Sequence, residues 1–180
     1  MHDRQAVLGG LIVSLLIMMP AGASVVVIFS LCRRFKPAII YHVFLCHHKD
    51  GAGSLARFIK MVITSATHAR VFLDSDQLED LELVFDTVRS STANLVVLMT
   101  AGILTRMWCA GEIVTAARND VPIIPMELDG FIKVDANGID QICQAWTGAE
   151  KHTLATFGIQ IDMIQAVYEQ IMLMQMSVRN

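Results

Sequence analysis

From Tyr41 onward, short aliphatic runs alternate with stretches of helical periodicity, and a chain with that alternation folds as a parallel sheet covered by helices on both faces. Residues 42–46 predict a first strand. Leu55, Phe58, Ile59, Val62 and Ile63 then recur at helical spacing and predict the buried stripe of a first helix. Val71-Phe72-Leu73 predicts a second strand and Leu95-Val96-Val97-Leu98-Met99 a third, with the stripe Leu81, Val84, Phe85 and Val88 between them. Residues 112–118 form the core of a third helix and residues 121–126 a fourth strand, which Pro122 and Pro125 assign to an edge or a bulge. A turn is expected at Asn137-Gly138 and a fifth strand over residues 142–146. Ile161, Ile164, Tyr168, Ile171 and Met172 mark a closing helix that starts after Gly158.

Ahead of this pattern, residues 6–31 carry no charge over 26 positions, where a membrane-spanning helix needs about 20. They account for much of a mean hydropathy of +0.51. Arg33, Arg34 and Lys36 follow the run, while Arg4 before it is offset by Asp3, so the positive-inside bias predicts a single-pass protein with its C-terminal part in the cytosol. The expected division is an anchor and basic linker over residues 1–37, contacting membrane lipid through residues 6–31, and one domain over residues 38–180. Ala21-Gly22-Ala23 has the form of a signal-peptide cleavage site, but residues 24–31 stay apolar beyond it.

Residues 1–37 hold four of the 14 Lys and Arg and one of the 17 Asp and Glu, leaving ten and sixteen for the rest, a formal −6. That balance repels a nucleic-acid duplex, and no basic stripe with interleaved aromatics offsets it. Nucleic acid is excluded as a partner. Cys32, Cys46, Cys109 and Cys143 have neither paired nor metal-type spacing, so no metal is expected.

In a parallel α/β sheet, ligands bind where the strand C-termini open into loops. Residues 47–53, 74–80 and 100–112 occupy those positions. The first contains Gly51-Ala52-Gly53-Ser54-Leu55-Ala56, a formal match to the dinucleotide fingerprint, with Asp74 21 residues after Gly53. Four polar residues separate that glycine from the strand, where a Rossmann turn has almost none. A Rossmann-like NAD(P)-binding reductase is therefore a lesser alternative.

The segments Tyr41-His42-Val43-Phe44-Leu45-Cys46-His47-His48-Lys49-Asp50, Val71-Phe72-Leu73-Asp74, Leu95 through Thr100, Trp108-Cys109-Ala110-Gly111-Glu112-Ile113 and Val121-Pro122-Ile123-Ile124-Pro125 together resemble a TIR domain. The resemblance runs over residues 40–175 and implies a flavodoxin-like sheet of five parallel strands. Members of that family similar to the axon-degeneration NADase and to bacterial immune effectors cleave NAD+ at the nicotinamide–ribose bond in signalling. They use the glutamate of W-x-x-x-E, which corresponds to Glu112. The resemblance further implies that Trp108, His47, His48, Lys49, Asp74 and Glu79 contact NAD+, which is substrate and not cofactor. It also implies that other TIR domains are partners, through homo-oligomers. A noncatalytic scaffold working through homotypic TIR contacts is the main alternative. The segment 75–81 lacks the proline or glycine usual in the family's BB loop, and residues 74–86 hold six acids and no base.

Overall fold

Phe44, Leu45 and Cys46 are fully buried, which is why β1 (Val43–Cys46) is an unbroken apolar run: both of its faces are covered. The computed structural model describes residues 39–73 and 81–177. Within them β1 pairs in parallel with β2 (Val71–Leu73) on one side and with β3 (Leu95–Met99) on the other, and β3 pairs in parallel with β4 (Ile123–Glu127). The sheet order is β2-β1-β3-β4, a doubly wound, flavodoxin-like arrangement. Among the described residues the sheet has four strands, not the five expected. β4 closes one edge, with Pro125 opposite Val97 and Ile124 and Met126 exposed.

Side chains alternate between two apolar clusters with the period of two that a strand imposes. Leu45, Val71, Leu73, Val96 and Leu98 face α1 (Lys49–Thr67), meeting Ala52, Ala56, Ile59 and Ile63. Phe44, Cys46, Phe72, Leu95, Val97 and Met99 face the other way. There they pack with α2 (Leu81–Ser91), α3 (Met107–Arg118), α4 (Ala136–Ala145), α5 (Gly148–Thr156) and α6 (Ile161–Ser177). A single 3₁₀ turn, Ile103–Thr105, joins β3 to α3.

Four further expectations are corrected. Residues 142–146 are not a strand: α4 covers most of them, because Ile139 and Cys143 stand one helical turn apart and are both buried. Asp135 caps that helix by accepting a hydrogen bond from the Gly138 amide at 2.8 Å, so Asn137-Gly138 lies in its first turn and not in a loop. The buried face of α1 is also rotated from the expected stripe. Ala52 and Ala56 go inward with Ile59 and Ile63, while Leu55, Phe58 and Val62 are exposed, because the sheet accepts small residues where the helix approaches it closely. Finally, among the described residues no helix is long and apolar enough to cross a membrane. The single-pass membrane placement is corrected on that finding. Residues 6–31, on which it was founded, lie outside the described residues.

Candidate active site

Cys46 ends β1 beside Val97 of β3, so the segments leaving these two strands emerge together at the C-terminal edge of the sheet. The first runs into α1 through His47 and His48. The second runs through the 3₁₀ turn to Arg106 and enters α3. They meet at Asp50, whose Oδ2 lies 3.4 Å from Arg106 Nη2 and 3.5 Å from His48 Nε2. The His48 ring sits tightly against Gly102, where an added Cβ would stand 3.0 Å from Nδ1.

α3 turns its first two turns toward this junction. Trp108 and Glu112 are four residues apart, and Cys109 and Glu112 three apart, so all three side chains share one side of the helix. Cys109 Sγ donates to the His47 carbonyl at 3.5 Å and ties the helix to the end of β1. The helix entry is held from behind. Trp146 Nε1 donates to the Thr105 carbonyl at 2.9 Å, and the buried Tyr168 hydroxyl donates to the Leu104 carbonyl at 3.1 Å. Both carbonyls belong to the 3₁₀ turn that precedes Arg106, so α4's end and α6 fix where α3 begins.

The result is a cavity of about 320 Å³ lined by His47, His48, Lys49, Asp50, Arg106, Trp108, Cys109 and Glu112, at the small end of the ~300–1,000 Å³ usual for ligand sites. Glu112 is 4% exposed and Trp108 37%. A carboxylate thus lines the floor while an indole is offered to solvent at the rim. Four side chains that are basic or protonatable line the walls. A cavity of about 360 Å³ lies elsewhere, along α2, α3 and α5, but its wall brings together no buried carboxylate, indole and base.

Of the residues singled out in the sequence, Glu112, Trp108, His47, His48 and Lys49 come together in this one cavity. Asp74 and Glu79 lie outside the described residues. Arg106 escaped the sequence reading, although its position two residues before Trp108, in a loop at a strand C-terminus, marks it as a wall residue. The fingerprint glycines have local explanations. At Gly51 a Cβ would press on Thr100 Oγ1 at 3.3 Å, and Gly53 faces open space. Cys46, behind the cavity wall, and Cys109 and Glu112, which line it, are all buried, and their ligand atoms lie within 4.8 Å of one another. Burial, then the hydrogen-bonded Cys109 thiol and the charge of Glu112, push the Cys46 thiol well above its ordinary value.

The fold is similar to that of the TIR domains in the structure of the activated Roq1 resistosome directly recognizing the pathogen effector XopQ. The TM-score is 0.51 at 13% identity, over 73% of this chain and 83% of that chain. At this identity the likeness establishes a TIR-like α/β fold and nothing finer. No family model and no curated protein matches the sequence.

Proposed function

We propose that the chain is a TIR-type NAD+ glycohydrolase, cleaving the nicotinamide–ribose bond to give nicotinamide and ADP-ribose or a cyclic isomer. One observation carries the reading: the buried Glu112 carboxylate opens into a cavity whose walls combine an indole with bases. Nicotinamide in NAD+ is a cationic leaving group. It takes the electron pair of the C1′–N bond and departs neutral, so no general acid is required, unlike the two-carboxylate arrangement of ordinary glycosidases. Positive charge develops on the ribose as it leaves. Glu112 holds the ribose hydroxyls and stabilises that charge from a side chain that is itself only 4% exposed.

Water then bonds to C1′ and releases a proton, giving ADP-ribose; attack by an adenine nitrogen of the same molecule gives the cyclic product. Trp108 stacks on a ring of the substrate, and Lys49 and Arg106 attract the pyrophosphate. The test is incubation of the purified chain with NAD+, alone and crowded, with nicotinamide release as the readout. Turnover by the wild type and its loss in Glu112→Ala support the assignment. Unchanged turnover in Glu112→Ala removes it.

The second reading is a noncatalytic scaffold that docks onto a second TIR domain. It draws on α1, where Leu55, Phe58, Met61 and Val62 expose apolar surface, and on the resistosome setting of the structural neighbour. Sedimentation of the wild type against Phe58→Glu tests it. Self-association that is lost in the variant, with no NAD+ turnover under any crowding, favours this reading.

A further inference from the structure

Cys46 closes β1, and Cys109 and Glu112 are three residues apart on α3, so three potential ligands converge from two rigid elements across 63 residues of sequence. Their Sγ and carboxylate oxygen atoms lie within 4.8 Å of one another, and all three residues are buried. In a tetrahedral zinc site, with Zn–S of about 2.3 Å, ligand atoms stand roughly 3.8 Å apart. Contraction by about 1 Å, within reach of Cys109 and Glu112 side-chain rotations, therefore completes the geometry.

Two sulfurs and one oxygen favour a soft or borderline cation over Mg2+ or Ca2+. Binding displaces both thiol protons to solvent, and two thiolates with one carboxylate carry −3, so a bound dication leaves the site at −1, where the ligands alone would hold −3 in a place that penalises uncompensated charge. Cys109 and Glu112 line the 320 Å³ cavity, which gives the cation an entry path and leaves water in its fourth position.

We propose that Cys46, Cys109 and Glu112 form a Zn2+ site, and that its occupation holds Glu112 away from substrate and switches the cavity off. The binding half stands on the cluster alone. The inhibitory half rests on the reading of Glu112 as the catalytic carboxylate.

The test uses the full-length chain, stripped with chelator and titrated with Co2+. One Co2+ per chain is expected, with a thiolate-to-metal charge-transfer band and tetrahedral visible bands, both displaced by Zn2+. Cys46→Ala and Cys109→Ser are expected to lose the charge-transfer intensity. X-ray absorption of the Zn2+-loaded wild type, which does not depend on a variant folding, is expected to read two sulfur ligands at about 2.3 Å. Zn2+ should stop NAD+ turnover by the wild type and leave it running in Cys46→Ala, because Cys46 is not part of the cavity wall.

Absence of a sulfur band in the wild type, or a band undiminished in Cys109→Ser, overturns the site. A sulfur band in a chain that never cleaves NAD+ upholds the site and removes the glycohydrolase reading. Turnover without the band does the reverse.

Discussion

Trp146 donates its indole N–H to the Thr105 carbonyl at 2.9 Å, so a residue beyond the end of α4 sets the path of the turn that delivers Arg106 and α3 to the cavity. Trp146 is itself buried. Trp146→Phe keeps an aromatic ring but leaves that carbonyl without its donor, and should lower unfolding free energy by about 1 to 2 kcal/mol. Urea denaturation reads this directly. Loosening of the turn should also weaken NAD+ turnover beyond what the stability loss explains. A variant as active as the wild type at equal folded fraction would count against the positioning role.

Tyr168 makes the partner contact to the Leu104 carbonyl, and its hydroxyl titrates far above its ordinary value of 10.0, first through burial and then through the nearby Cys109, Cys143 and Cys46. In the unfolded chain the phenol loses its proton near that ordinary value, whereas the folded chain keeps it. Above about pH 10 the unfolded state therefore binds fewer protons, and folding stability falls as pH rises toward the folded value. Below that window this contribution is fully present. Urea midpoints measured from pH 8 upward should decline more steeply for the wild type than for Tyr168→Phe, and parallel curves would contradict the coupling.

Gly111 precedes Glu112 on α3 and faces α2. A Cβ at that position would run into Phe85 Cζ, and Phe85 is itself wedged edge-on against Phe157 with ring centroids 5.0 Å apart. Gly111→Ala should cost about 1 to 3 kcal/mol as overpacking. Phe85→Leu in the same chain should recover part of that loss, giving a coupling well outside additivity in a double-mutant cycle. Strict additivity would mean that the two helices are not in contact there.

The legible parts of the fold were those where one physical signal dominates. β2 and β3 are apolar at every position because both faces are buried, so their limits could be read from the chain alone. Residues 142–146 were ambiguous for the opposite reason. A short apolar run has no period of its own, and only the pairing of Ile139 with Cys143 separates helix from strand. On α1 the larger residues Leu55, Phe58 and Val62 outweighed Ala52 and Ala56 in the sequence, yet close approach to the sheet selects the small ones. At the site, Trp108, Glu112 and His47 to Lys49 were singled out by the resemblance to a TIR domain, not by spacing alone, and the strand end marked only the loop over residues 47–53. The meeting of Cys46 with Cys109 and Glu112 had no such signal, since it exists only once β1 and α3 are packed.

Glu112 and Arg106 line the same cavity but should fail differently when altered. If Glu112 stabilises charge that appears only as the C1′–N bond breaks, Glu112→Gln should lower kcat by about 10²- to 10³-fold with little change in KM. On the same reading Arg106 would meet charge that NAD+ carries before and during reaction alike, so Arg106→Ala should raise KM and spare kcat. Its guanidinium is half-exposed and already 3.4 Å from Asp50, so screening and that competing acid limit the effect to about three- to tenfold. The same screening makes the KM of the wild type rise with salt more steeply than that of Arg106→Ala. Steady-state kinetics of both variants at two ionic strengths checks the split. A kcat loss in Arg106→Ala matching that of Glu112→Gln would assign the arginine to the reacting centre instead of to the pyrophosphate.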